Sequence, residues 1–425
     1  MRPPRLDESQ MNRLDWFMQT LYMAWRLFVK HELTNHAAAT AFYFLLSTAP
    51  LVLLLTYAAQ YLASLAEASD FAVLLLAALY ERFRLEDLTR LGLIPQRAQL
   101  AAGGVGLLTL LLSSRGLIKS LQSAFRVIFP VETRRKFVVN WTLPLIIIPL
   151  VFGLVLLAVV VQASLNFFLQ TDLLGVGKAL LFKGLNAAFI LLSIWGLIYL
   201  AFRRLPLELP PRRPALLISA LATLTLVGLF LGFGHFFRVE KYQAMYGALG
   251  GVVFILIGAY FACLTFYFWA QFLHALTKVD VAALEKLFLQ GEEGGGNRLE
   301  GLVFARANRL LAKYGRVFAP GDRLITEGEA GQEAILIHSG RVGVYKHLEQ
   351  GERKLVELEA GSLIGEMAYL LNEPRTASVR AETEVTALVL PPQLLEELMR
   401  FSAPLSRRII GTLAQRLMHM NMAQR

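Results

Sequence analysis

Six stretches of this chain carry no Asp, Glu, Lys or Arg over lengths that suit a hydrocarbon layer, and that pattern limits the fold more than any other feature. They run from Ala37 to Ala66, Ala98 to Ser114, Phe137 to Thr171, Gly184 to Phe202, Pro214 to Phe237 and Tyr242 to Thr277. A helix needs roughly 17–25 residues to cross a bilayer, and a charge at the bilayer centre costs ~2.5–3.5 kcal/mol on insertion scales. A soluble protein is under no such penalty, so six uncharged runs read as six helical spans. The second is the shortest, because Arg115 follows two serines directly; the guanidinium can snorkel toward the interface and let the span continue to Leu117. A hydrophobic share of 56% exceeds what a soluble protein needs to fill its cores, which fits a lipid bilayer as the surrounding solvent.

Basic residues between the runs set the orientation. Fifteen Lys and Arg lie before the first span, between spans two and three, and between spans four and five; eight lie in the alternate connections. Basic loops stay in the cytoplasm. Both termini are therefore placed inside, and the formal charge of +10 is accounted for by membrane loops, with no nucleic-acid partner implied. The N-terminal residues 1–36 lack the apolar core of a cleavable signal, so the first span serves for insertion. Within them Phe17, Leu21, Trp25 and Phe28 recur at helical spacing, as expected of an amphipathic helix on a membrane surface or packed on the spans. The single cysteine, Cys263, permits no intrachain disulfide.

After Thr277 the composition changes. Lys278 to Gln290 reads as helical, GEEGGGN (Gly291 to Asn297) as a flexible linker, and from Gly315 short alternating strands are separated by Gly and Pro turns. The fold class is thus a six-span α-helical membrane domain (37–277), a linker (278–298) and a C-terminal β-roll with flanking helices (299–425).

Within the spans, Ser47, Thr48, Gln60, Gln162, Ser164, Asn166, Asn186, Ser193 and His235 are polar groups that can mark a transport pathway. Pro50, Pro144 and Pro149 can free backbone carbonyls, as transporters require. The plainer reading is that the hydroxyls bond their own helix and that Gly247, Gly250, Gly251 and Gly258 permit close helix packing.

The membrane half resembles the YihY/BrkB family of bacterial inner-membrane proteins through HAAATAFYFLLSTAPLVLLL (His36 to Leu55), LLTLLLSSRGLIKSLQSAFRVIF (Leu107 to Phe129), RRLP (Arg203 to Pro206) and YQAMYGALGGVVFILIGAYF (Tyr242 to Phe261). The resemblance implies a location and a fold but no reaction. The ribonuclease label that members have carried finds no support, since the seven histidines form no HxH or HExxH spacing; no enzyme activity and no metal are expected. The oligomeric state is not fixed by the sequence, and homo-oligomerisation stays open.

The C-terminal part resembles the cyclic-nucleotide-binding domain through FAPGD (Phe318 to Asp322), Glu327-Gly328, AILIHSGRVGVY (Ala334 to Tyr345) and IGEMAYLLNEPRTASVRA (Ile364 to Ala381). A cyclic phosphate needs a guanidinium for its charge and backbone amides that approach closely. The resemblance implies that Arg375 pairs with the phosphate, that Glu366 accepts the ribose 2′-hydroxyl, and that Gly365, Met367, Ala368, Thr376 and Ala377 complete the ligand-binding segment. The regulatory ligand is cyclic AMP or cyclic GMP, with a modest preference for cyclic AMP. Thr412, Gln415 and Arg416, on a helix whose apolar stripe includes Ile409, are candidate base contacts. After that helix the chain leaves no room for a helix-turn-helix, so direct transcriptional control is not expected. The chain as a whole reads as a nucleotide-regulated inner-membrane transporter or effector, or alternatively as a non-transporting scaffold or envelope-integrity protein.

Overall fold

A computed structural model describes residues 8–48, 102–130, 161, 176–206, 209–236, 249–289, 308–348, 351–402, 405–407 and 409–411. The chain divides into two compact units, one of residues 24–274 and one of residues 1–23 with 275–425.

The first unit is helical. It holds the end of α1 (Glu8–Lys30), α2 (helical over 33–48), α3 (Ala102–Ile128), α4 (Val176–Arg204), α5 (Arg212–Phe236) and most of α6 (Leu249–Leu289). Among the described residues three helical segments are long and apolar enough to cross a membrane: Gly184–Arg204, Arg212–Phe233 and Leu249–Leu287. The third proposed run lies almost wholly outside the described residues, as do Gln60, Gln162, Ser164, Asn166, Gly247 and the three span prolines. The turn between α4 and α5 is fixed by Arg203, whose Nη1 donates to the Pro210 carbonyl.

An aromatic cluster forms the centre of this unit. Phe125 of α3, Phe202 of α4 and Phe266 of α6 approach with ring centroids 5.3–6.4 Å apart, a separation that favours tilted and edge-on contact. Large apolar side chains on the other faces, among them Leu217, Leu224, Phe230 and Leu231, stay exposed, as lipid-facing positions do.

The described span hydroxyls follow the plainer of the two sequence readings. Ser47, Thr48 and Ser193 donate to the carbonyls of Tyr43, Phe44 and Phe189, four residues back in their own helices at 2.8–2.9 Å. Gly258 serves helix packing: a β-carbon there would lie 3.4 Å from the Phe233 ring. The α1 stripe is divided: Phe28 is buried, whereas Phe17 and Trp25 are exposed.

The second unit is a β-roll of two four-stranded antiparallel sheets. The strands are β1 (Gly315–Phe318), β2 (Arg323–Ile325), β3 (Ala334–Ser339), β4 (Val342–Leu348), β5 (Gly351–Leu358), β6 (Leu363–Ile364), β7 (Ser378–Ala381) and β8 (Val385–Leu390). One sheet has the order β1-β8-β3-β6 and the other β2-β7-β4-β5. Alternation places Ile335, Ile337, Val342, Val379, Val385 and Ala387 in the core of the roll.

Helices cover the roll. A second core joins Leu336, Leu388 and Leu390 to Leu310 of α7 (Asn308–Tyr314), to Leu395 and Leu398 of α9 (Pro392–Phe401), and to Leu405 and Ile409. Val281, Ala283 and Leu284 belong to this core. The helix that carries the last apolar span therefore does not stop at Lys278; its final turns are part of the packing of the β-roll unit. Two charged groups hold them. Lys278 pairs with Glu397 of α9 at 3.0 Å and lies 4.5 Å above the Phe401 ring. Asp280 accepts from Arg309, from Lys313 at 2.6 Å and from Tyr314 at 3.2 Å, all on α7. Burial opposes ionisation of Asp280, but the Lys313 hydrogen bond and the Arg309 charge outweigh it and hold its carboxyl below the usual carboxylate range.

Candidate nucleotide-binding site

The segment from Gly365 to Ser378 wraps around one guanidinium. After β6 the chain turns at Gly365, whose φ of +79° is a conformation that side chains with a β-carbon rarely adopt, and enters the short helix α8 (Glu366–Leu371). Asn372, also left-handed at φ +54°, ends that helix by donating its backbone N–H to the Ala368 carbonyl. The chain then returns through Arg375 into β7.

Arg375 is 9% exposed and donates from Nη1 to the Gly365 carbonyl and from Nη2 to the Glu333 carbonyl, both at 2.7 Å. Carbonyls, and not the Glu366 carboxylate, take these two bonds. Its backbone is fixed as well: the Arg375 N–H donates to the Glu329 carbonyl at 3.1 Å and the Gly328 N–H to the Arg375 carbonyl at 2.8 Å. A guanidinium has five N–H donors, so this arrangement fixes its plane and leaves donors for an anion. Burial pushes the Arg375 guanidinium below its usual value, and the charges of Glu333, Glu329 and Glu366 oppose that effect. Arginine stays cationic at neutral pH in either case.

The cradle has no room for a β-carbon at Gly365 and little for one at Gly331. A β-carbon at Gly365 would fall 2.4 Å from Arg375 Nη1 and 3.0 Å from the Glu333 carbonyl; one at Gly331 would fall 3.1 Å from Nη2. Glu366 is 3% exposed at the start of α8, and Ala368 is buried beside it. Met367 and Ala377 are half-buried, and Thr376, the residue after Arg375, is exposed. The structure thus brings Gly365, Glu366 and Arg375 together, with Thr376 and Ala377 directly following. The candidate base contacts Thr412, Gln415 and Arg416 lie outside the described residues.

Sequence reasoning missed the opposite wall. Glu329 and Glu333 offer backbone carbonyls to Arg375 and Gly331 lacks the β-carbon that would crowd it, none of which a side-chain pattern announces. Gly328, read from the sequence only as a motif residue, donates its N–H to the Arg375 carbonyl. The two glycines in the run between β2 and β3 were the available signal. Gln332 bridges the walls by donating to the Asn372 side-chain oxygen at 3.0 Å.

The match to known families agrees with this division. A family described as Virulence factor BrkB matches residues 24–287, more than half of the 425-residue chain. The chain belongs to the BrkB family. This BrkB-family chain also carries a cyclic nucleotide-binding domain, matched over residues 315–401. Over 90 residues it is 36% identical to human cGMP-dependent protein kinase 2, covering 21% of this chain and 11% of the kinase. Over 82 residues it is 35% identical to the cAMP-dependent protein kinase regulatory subunit of Hypocrea atroviridis, covering 19% and 17%. It is 37% identical over 98 residues to the human potassium/sodium hyperpolarization-activated cyclic nucleotide-gated channel 2, covering 23% and 10%. The chain thus spans less than a fifth of the length of each of these relatives. Among the described residues no group of three or more His, Cys, Asp or Glu side chains is placed to hold a metal.

Proposed function

We propose that this BrkB-family membrane protein is controlled by cyclic AMP or cyclic GMP, bound with its phosphate on Arg375 and its ribose 2′-hydroxyl on Glu366. The backbone approach at Gly365 and the amides near Thr376 and Ala377 complete the phosphate contact, with Met367 and Ala368 shaping the start of α8. The observation that carries the regulatory reading is the continuity of α6: one helix supplies an apolar span and then packs, through Val281, Ala283 and Leu284, into the core of the nucleotide-binding unit. A ligand that changes the packing of that core acts directly on the end of a membrane helix. The relatives named above include both cGMP-dependent and cAMP-dependent kinase proteins, so they do not favour either base.

The regulated part is a six-span transporter in the bacterial inner membrane, with both termini in the cytoplasm. A non-transporting scaffold is the second reading, favoured by Ser47, Thr48 and Ser193, whose hydroxyls are satisfied within their own helices. Solute flux from proteoliposomes with and without cyclic nucleotide separates the two; nucleotide-dependent flux abolished by Arg375→Ala supports the transporter. Titration of the full chain in nanodiscs tests the site itself. Unchanged affinity in a folded Arg375→Ala variant refutes it.

A further inference from the structure

The helical unit contains a pocket of about 680 Å³ that the nucleotide reading does not use. It is lined by the α1–α2 turn and one face of α3, and its polar lining comprises Lys30, His31, His36, Lys119, Ser120 and Ser123, with Glu32 and Asn35 at the turn. From this pocket we infer a second binding site, for an anion bearing a phosphate group, that goes beyond control by cyclic nucleotide.

The charge balance favours an anion. Lys30 and Lys119 supply two ammonium groups from different helices, and both side chains are exposed. The lone carboxylate of the lining, Glu32, is engaged by the Asn35 amide, which donates to its Oε2 at 3.0 Å. Neither lysine forms an ion pair among the described residues. Two ammonium groups lining one pocket, with a serine hydroxyl and two imidazoles, suit a phosphate, which accepts several hydrogen bonds at once and carries the opposite charge.

The pocket is also built on a fixed floor. The Ser120 hydroxyl is 2.8 Å from Thr40, and Thr40 is 2.6 Å from the hydroxyl of fully buried Tyr267. Thr40 donates its own proton to the His36 carbonyl at 2.8 Å. The ring of His31 is held 3.3 Å from Gln271, which is fully buried. Gly116 lets the Tyr43 ring close one wall: a β-carbon there would lie 2.5 Å from the ring. Such a lining holds its shape before a ligand arrives, which lowers the ordering cost of binding.

The phosphate has two sources, the headgroup of an anionic lipid and a phosphate ester from solution, and both meet the same lysines. The test uses the full chain carrying Arg375→Ala, so that the nucleotide site cannot contribute, in phosphatidylcholine nanodiscs. Glycerol 3-phosphate is added in one arm, and phosphatidylglycerol replaces part of the lipid in the other. A rise in unfolding midpoint in the first arm identifies a soluble ester, and a rise confined to the second identifies a lipid. In either case Lys30→Gln with Lys119→Gln weakens the apparent affinity at least tenfold, and Lys30→Arg with Lys119→Arg restores it. Should the glutamine pair fail to fold, Ser123→Trp, which fills the cavity without altering charge, replaces it and abolishes the rise. No rise in either arm, or a rise that survives the glutamine or tryptophan variant, overturns the proposal.

Discussion

Arg375 and Gly365, ten residues apart in sequence, are joined by a 2.7 Å hydrogen bond from the guanidinium to the glycine carbonyl. The bond ties the charge that would meet a cyclic phosphate to a left-handed backbone turn that cannot accept a side chain. Gly365→Ala therefore has two effects: it strains a left-handed residue by roughly 1–3 kcal/mol and drives a methyl group into Arg375 Nη1. Cyclic-nucleotide affinity, read by titration of the full chain, is expected to fall at least tenfold with the fold retained. An alanine variant with native affinity would show that the cradle does not position the arginine.

Arg375→Lys tests geometry apart from charge. A lysine keeps the positive charge but lacks the planar fork that bonds the Gly365 and Glu333 carbonyls and still presents donors to a ligand. Hydrogen bonds to charged groups are worth about 1.5–3 kcal/mol, so the expected loss is roughly ten- to hundredfold. Affinity close to that of the native protein would reduce the site to a simple positive charge.

Asp280→Asn addresses the tail of α6. Arg309 is 13% exposed, and its Nε and Nη2 make no hydrogen bond among the described residues, so Asp280 supplies its compensation. Removing the carboxylate is expected to destabilise the nucleotide-binding unit by about 1.5–3 kcal/mol in denaturant titration. The pH dependence has a definite sign. Because the folded carboxyl titrates below its ordinary value, its contribution is present above the ordinary carboxylate range and disappears as pH falls through the lowered value. Native protein should lose this increment in acid, and the asparagine variant, which lacks it at neutral pH, should show a flatter profile.

The hydroxyls of Thr40, Ser120 and Tyr267 give an internal comparison. Thr40→Val removes the acceptor shared by two buried hydroxyls, at a cost of about 1–3 kcal/mol for each group left unsatisfied. Tyr267→Phe removes one donor and leaves the Thr40–Ser120 contact intact. Thermal unfolding in detergent is therefore expected to rank the valine variant as the less stable of the two, and the reverse order would mean that the relay is not formed.

Much of the β-roll was legible because its signals are local. Pro320-Gly321 marks the turn between β1 and β2, Gly340 the turn between β3 and β4, and apolar alternation in β3 and β8 marks the core. The guanidinium was legible for the same reason, as Gly365, Glu366 and Arg375 lie in one short segment. The opposite wall was not, because the Glu333 carbonyl reaches Arg375 from 42 residues away and any residue type offers the same carbonyl. The α1 stripe left two settings open, a membrane surface or packing on the spans, and burial along it is mixed: Gln19, Thr20 and Phe28 are buried while Phe17 and Trp25 are exposed, a division that its periodicity does not announce. The charges that follow Thr277 resemble the start of a linker, yet Lys278 and Asp280 are the residues that fasten α6 to its neighbours.

The unbroken course of α6 also makes angle a variable. Its 41 residues form a rod about 60 Å long, and each residue added to such a rod turns everything beyond it by about 100°. Lys278 and Asp280 sit upstream of Val281, Ala283 and Leu284 on the same rod. One alanine inserted between Asp280 and Val281 would turn the apolar trio by about 100° relative to the charged pair, so that the two sets could no longer both meet the neighbours they have here, whereas seven would restore their relative bearing to within about 20°. Rotational phase, and not only length, is thus set by the sequence of the last turns of α6.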